Sequence, residues 1–169
     1  MPADRLERTT VPRIAVTGHM NLTAASMPLV QEAIINALAP HAGDDLIGMS
    51  CIARGADSIF AQAVLDSGGT LEVVLPSQHY REQKVKPDHA PQFDDLMQRA
   101  AKVHVLPFEQ ANREAYAAAN ELLLSSDRLF AVWDGQPGVD QGSTASVVSA
   151  ARERGLPVEV IWPEGAARE

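Results

Sequence analysis

Apolar and polar positions alternate along this chain between two periods. Short continuous apolar runs, "RIAVTG" (13–18), "DLIGMSCIA" (45–53), "TLEVVLP" (70–76), "KVHVLP" (102–107), "RLFAVWD" (128–134) and "PVEVIWP" (157–163), read as strands. Between them apolar residues recur at three- and four-residue spacing. Leu29, Val30, Ala33, Ile34, Ala37 and Leu38 form one face, closed by Pro40, and Ile59, Phe60, Ala63 and Val64 form a second, ended by Gly68-Gly69. Further helices are predicted around Phe93–Ala100, Tyr116–Leu123 and Val147–Ala151, the last ended by Gly155; residues 77–91 read as polar and irregular.

Strands that are apolar throughout and alternate with helices imply a parallel sheet covered on both faces. The predicted fold is therefore α/β, a three-layer, doubly wound Rossmann-like domain with a mainly parallel sheet of about six strands. It is predicted to span 13–163, with a flexible N-terminal tail over 1–12 and a loose C-terminal tail over 164–169. Such sheets take ligands outside the carboxyl ends of their strands. That directs attention to "TGHMN", "CIARGAD", "LPSQHYREQ", "LPFEQANREAY" and "WDGQPGVDQGST".

Composition narrows the field. The 169 residues are 46% hydrophobic and 21% charged, suiting one soluble domain, and the net charge of −8 argues against a broad basic surface for nucleic acid or anionic lipid. A single cysteine, Cys51, forms no internal disulfide, no Cys/His spacing suits zinc, and no apolar run approaches the roughly 20 residues of a membrane span. The chain reads as cytoplasmic, with no cofactor and no metal.

Three post-strand loops carry candidate binding residues. Gly18 permits either close approach of a ligand or a turn, and His19 follows it as a ligand contact or a turn histidine. No G-x-G-x-x-G or P-loop pattern accompanies them. In "ARGAD", Arg54 offers a bidentate donor beside Gly55, Ala56 and Asp57, whose helix-start amides are predicted to face an anion; the alternative is an Asp57 cap paired with Arg54. In the last loop Gly142, Ser143 and Thr144 open a helix with amides and hydroxyls, while Asp134 and Gly135 end the preceding strand, Asp134 toward a ribose. Capping by Ser143 or Thr144 uses the same donors.

With those loops identified, the chain resembles the SLOG (SMF and Lonely Guy) superfamily of Rossmann-like nucleotide-binding domains. "GMSCIARGADSIFAQAVLDSGGTLEVVLP" (48–76) is similar to the "SGxARGxDxxAHxxAL…GGxTxAVL" block of DNA-processing protein A. "DRLFAVWDGQPGVDQGSTASVVSAARERGLPVEVI" (127–161) is similar to the final strand-loop-helix-strand unit and to the "DGxxxDxGTAxE" segment of nucleoside deoxyribosyltransferases. The resemblance implies a nucleotide-like small molecule as partner, a sensor role, and a homo-oligomer such as a dimer.

Lonely Guy enzymes carry a glutamate in P-G-G-x-G-T-x-x-E, where this chain has Val147. An apolar side chain cannot stabilise an oxocarbenium centre, and no particular residue among Glu72, Glu82, Glu109, Glu114 and Glu121 is marked as a substitute. A nucleotide N-glycosidase, phosphoribohydrolase or deoxyribosyltransferase-like activity is the alternative to binding alone. Single-stranded DNA binding is opposed by the acidic charge.

Overall fold

A computed structural model describes residues 13–138 and 143–169. The predicted N-terminal tail and Gly142 lie outside them. Six strands, β1 (Arg13–Gly18), β2 (Ile47–Ser50), β3 (Thr70–Leu75), β4 (Lys102–Val105), β5 (Arg128–Val132) and β6 (Val158–Ile161), form one sheet in the order β4-β3-β2-β1-β5-β6. Every pairing is parallel. The chain steps outward from β1 to β4, then returns to the other side of β1 for β5 and β6. The order therefore reverses between β1 and β5, where ligand crevices open in such folds.

The period-two alternation of the strands sorts their side chains onto two faces. Ile14, Val16, Phe130 and Val132 pack against α1 (Ser26–Leu38) and α2 (Ala56–Asp66) through Val30, Ile34, Phe60 and Val64. Ala15, Met49, Val74 and Leu129 meet α5 (Arg113–Leu123) and α6 (Thr144–Glu153) on the opposite face. On the first face Leu71, Val73 and Leu75 pack with Phe93 and Leu96 of α4 (Ala90–Arg99). Fully burying side chains of this size contributes about 1.5–3 kcal/mol each, so the pattern of the strands is enough to hold three layers together.

Two segments differ from expectation. The stretch 77–91 contains a short helix, α3 (Tyr80–Lys84), whose Tyr80 is buried against Phe93 at 6.3 Å between ring centres. Five residues are too few to show a 3.6-residue period. The C-terminal residues are not loose. Thr23 N–H donates to the Ala167 carbonyl at 3.0 Å, Ala167 N–H donates to Ser26 Oγ at 2.8 Å, and Glu169 N–H donates to the Asn21 carbonyl at 2.8 Å. An antiparallel bridge between Leu22 and Arg168 completes a strap over the β1–α1 loop. Main-chain hydrogen bonds of this kind use groups every residue carries, so sequence does not reveal them.

Candidate functional site

The switch point is built around His19. Its N–H donates to the Val132 carbonyl at 3.2 Å, extending the β1–β5 ladder one step past Gly18. Gly18 itself is required by packing: a Cβ there would lie 2.5 Å from Ala56 Cβ and 2.8 Å from Val132 Cβ. The His19 ring is buried, edge-on to Trp162 at 5.6 Å, and its Nε2 accepts the Asp134 N–H at 3.1 Å. Nε2 also lies 3.3 Å from Asp134 Oδ1. One nitrogen cannot accept and donate at once, and burial followed by the nearby Arg168 charge lowers the His19 pKa against the opposing pull of Asp134. The imidazole is therefore neutral, and the second contact is not an ion pair.

Asp134 is occupied in turn. Its Oδ1 accepts the Gln136 N–H at 3.0 Å, and Oδ2 stands 3.4 Å from Arg168, whose Nε donates to Asn21 Oδ1 at 3.0 Å. Burial would raise the Asp134 pKa, but the Gln136 hydrogen bond and the Arg168 guanidinium bring it below the usual carboxylate value. The carboxylate predicted to face a sugar instead holds the C-terminal strap in place.

The opening of α2 is a second correction. Gly55 caps it at φ 84°, a conformation open to glycine, and a Cβ there would meet the His19 carbonyl oxygen at 2.7 Å and the Met20 carbonyl oxygen at 2.9 Å. Ala56 N–H donates to the His19 carbonyl at 3.2 Å, and Ala56 is fully buried. The protein's own backbone thus packs over this helix start: the Ala56 amide is taken by the His19 carbonyl, and Gly55 is buried beneath the His19 and Met20 carbonyls. The preceding turn is held by Ser58 Oγ on the Ala53 carbonyl at 2.7 Å and by Ser50 Oγ accepting the Ile52 N–H at 3.0 Å, with Ile52 at φ 46°.

The opening of α6 remains on a cavity. Ser143 caps it, its Oγ accepting the Ser146 N–H at 3.2 Å. Ser143 and Thr144 line a cavity of 520 Å³ together with Gly18, His19, Asn21 and Arg168. It shares Gly18, Met20 and Thr144 with a narrower cavity of 270 Å³ over the ends of β1, β2 and β3. Asp57, Tyr80, Lys84, Tyr116 and Asn120 line that second space. Burial pushes the Asp57 carboxyl up to about 7, opposed only by a hydrogen bond from the Ala53 amide, and burial also raises the Cys51, Tyr80 and Tyr116 pKa values.

A third cavity of 270 Å³ adjoins at Met20, Tyr80 and Lys84, and its rim carries Arg54, Lys86 and His89. Arg54 faces this side space, 3.7 Å from Asp88, and not the α2 opening. Gly135 lies on a neighbouring depression with Trp133 and Arg152. Among the residues singled out from sequence, Gly18, His19, Asp57, Ser143 and Thr144 border the two joined cavities; Gly55, Ala56 and Asp134 border neither. Sequence reading missed Met20, Asn21, Tyr80, Lys84, Tyr116, Asn120 and Arg168. Most of these share one signal, a place just after a strand, whereas Arg168 carries none. Among the described residues no group of three His, Cys, Asp or Glu side chains is arranged to hold a metal ion, and no helix is long and apolar enough to cross a membrane.

These features define an α/β protein of Rossmann-like architecture with a groove along the carboxyl edge of a parallel sheet. Solved structures share it. DNA processing protein A from Streptococcus pneumoniae matches at a TM-score of 0.60 and 19% identity, over 88% of this chain and 50% of its own. DNA processing protein A from Helicobacter pylori, described with a single-stranded DNA binding mode, matches at 0.65 and 16%, over 94% of this chain and 68% of its own. The molybdenum cofactor carrier protein of Chlamydomonas reinhardtii matches at 0.53 and 22%, over 88% and 75%. The chain thus spans half the length of the first of these. What these structures share with the chain is the Rossmann-like fold, a parallel sheet between helical layers. No protein-family model matches the sequence, and no curated protein matches it.

Proposed function

We propose that this chain binds a nucleotide or nucleotide-derived ligand in the two joined cavities, as a sensor or carrier domain. One observation carries the reading: the capped α6 opening at Ser143 and Thr144 and the Arg168 guanidinium border the same 520 Å³ space, which continues into the narrower one beside Asp57. A helix start and an arginine suit a phosphate, and the narrower, aromatic-lined space suits a ring system. Binding is favoured over glycosidic cleavage because Val147, at the position where the resemblance expects an acid, is buried in the core. The proposal extends to a homodimer, supported by Met27, Leu29 and Ile35, which stand exposed on α1; light scattering tests it.

The test is thermal stabilisation across a panel of nucleoside mono-, di- and triphosphates, since binding to the native state alone raises stability by RT ln(1+[L]/Kd). Stabilisation by at least one nucleotide, diminished in Arg168→Ala and retained in Arg54→Ala, supports this placement. Stabilisation by oligonucleotide alone, lost in Arg54→Ala, would transfer the function to the basic side cavity, in keeping with the DNA binding named for the Helicobacter protein.

A further inference from the structure

The narrower cavity has a particular polar composition. Asp57, in the first turn of α2, is the carboxylate in its lining, and among the described residues no cation pairs with it. The nearby Ala53 amide is the group that favours its charged form. Tyr80 from α3 and Tyr116 from α5 line the same space, with Asn120 one turn further along α5. A half-buried carboxylate left without enough donors is costly, and the cost is relieved by whatever brings N–H groups to it.

Lys84 also lines the cavity and opposes a cationic amine. A flat, neutral ring that stacks on tyrosine and presents two adjacent N–H donors meets both conditions.

We infer that Asp57 is the base-reading residue of the pocket, accepting the paired N–H donors of a 2-amino-4-oxo ring edge from a ligand lying beside Tyr80 and Tyr116. Guanine presents that edge through its ring N–H and its exocyclic amine, and so does a pterin. Adenine offers one donor beside an acceptor, and hypoxanthine lacks the exocyclic amine. This assignment rests on the nucleotide reading and adds its specificity. The volume agrees: 270 Å³ lies just under the roughly 300–1,000 Å³ that accommodates a whole drug-sized ligand, leaving sugar and phosphate for the adjoining 520 Å³.

Discrimination within the unmodified protein tests this without any variant. Guanosine, inosine and adenosine 5′-monophosphates and neopterin are titrated calorimetrically at pH 8. Guanosine monophosphate is expected to bind roughly tenfold tighter than inosine monophosphate, the scale of one hydrogen bond to a charged acceptor, and roughly 100-fold tighter than adenosine monophosphate, which loses one such bond and sets a ring acceptor against the carboxylate. Tight neopterin binding with weak guanosine monophosphate binding supports the same edge and assigns its source to a pterin.

Asp57→Asn replaces one acceptor oxygen by a donor, so it should abolish the preference for the two-donor edge and raise relative affinity for adenosine monophosphate; circular dichroism confirms that the variant is folded. Equal affinity for all four ligands, or a preference unchanged in Asp57→Asn, overturns the Asp57 assignment and leaves nucleotide binding standing. Binding of none of them overturns the Asp57 assignment, and a failure of the wider nucleotide panel as well overturns the nucleotide reading.

Discussion

The Asp134 N–H donates to His19 Nε2 at 3.1 Å, and this one bond ties the residue after β1 to the chain leaving β5 across the switch point of the sheet. It needs a neutral imidazole. Protonation would turn the acceptor into a donor facing another donor, in a buried position already close to Arg168.

The first prediction follows from that bond. Folding lowers the His19 pKa from 6.5, so the folded state disfavours the proton that the unfolded chain accepts. The stability His19 contributes is present above the ordinary histidine pKa and is lost as pH falls below it. Between pH 7 and pH 5 the wild-type melting temperature should drop more than that of His19→Gln, which keeps an acceptor and removes the titration. Equal slopes in melts across that range would discount the neutral-imidazole account.

Asp57 titrates with the opposite sign. Its folded pKa is raised to about 7 by burial, among Cys51 from the β2–α2 turn, Tyr80 and Lys84 from α3, and Tyr116 from α5. The fold favours the protonated acid, so this contribution is full below the unfolded value near 3.8 and is lost as pH rises through about 7. Asp57→Asn should therefore stabilise the ligand-free protein at pH 8 and lose that advantage toward pH 4. Urea denaturation at the two pH values measures it.

Gly18→Ala should destabilise by about 1–3 kcal/mol, the range for overpacking. The added carbon has to displace Ala56 and Val132 in the wall between α2 and β5, both of them buried. Equilibrium unfolding reads the loss; a stability equal to wild type would mean that the sheet and α2 separate easily.

Arg168→Ala removes the guanidinium that bridges Asn21 and Asp134 and borders the larger cavity. Its exposed ion pair is worth little to stability, about 0–1 kcal/mol. The larger effect should be a roughly tenfold weaker affinity for any phosphorylated ligand, the scale of one lost hydrogen bond to a charged group. Calorimetry on the variant and on wild type distinguishes the two effects.

The sheet was legible because its strands are apolar on both faces, and the helices because their apolar stripes run for several turns. Helix α3 was not, since five residues show no period. Along the groove, several loops marked from the sequence line the cavities, but some of their residues have partners other than those expected. Gly55 looked like an amide donor's neighbour, yet its missing side chain serves the close passage of the His19 and Met20 carbonyls. Asp134 looked free, yet Gln136 and Arg168 occupy it.

By itself the sequence determined the alternation of strand and helix, the parallel sheet, and the sheet edge along which the cavities open, because burial and hydrogen-bond geometry impose local periods on local residues. Only the tertiary structure decided that the α6 opening borders a cavity, that a C-terminal arginine reaches the groove, and that Asp57, with no ion-pair partner among the described residues, shares a cavity with two tyrosines. Those outcomes depend on contacts between residues far apart in the chain, such as Asn21 with Arg168 and His19 with Asp134. Nothing in the local pattern of either partner encodes the other's position.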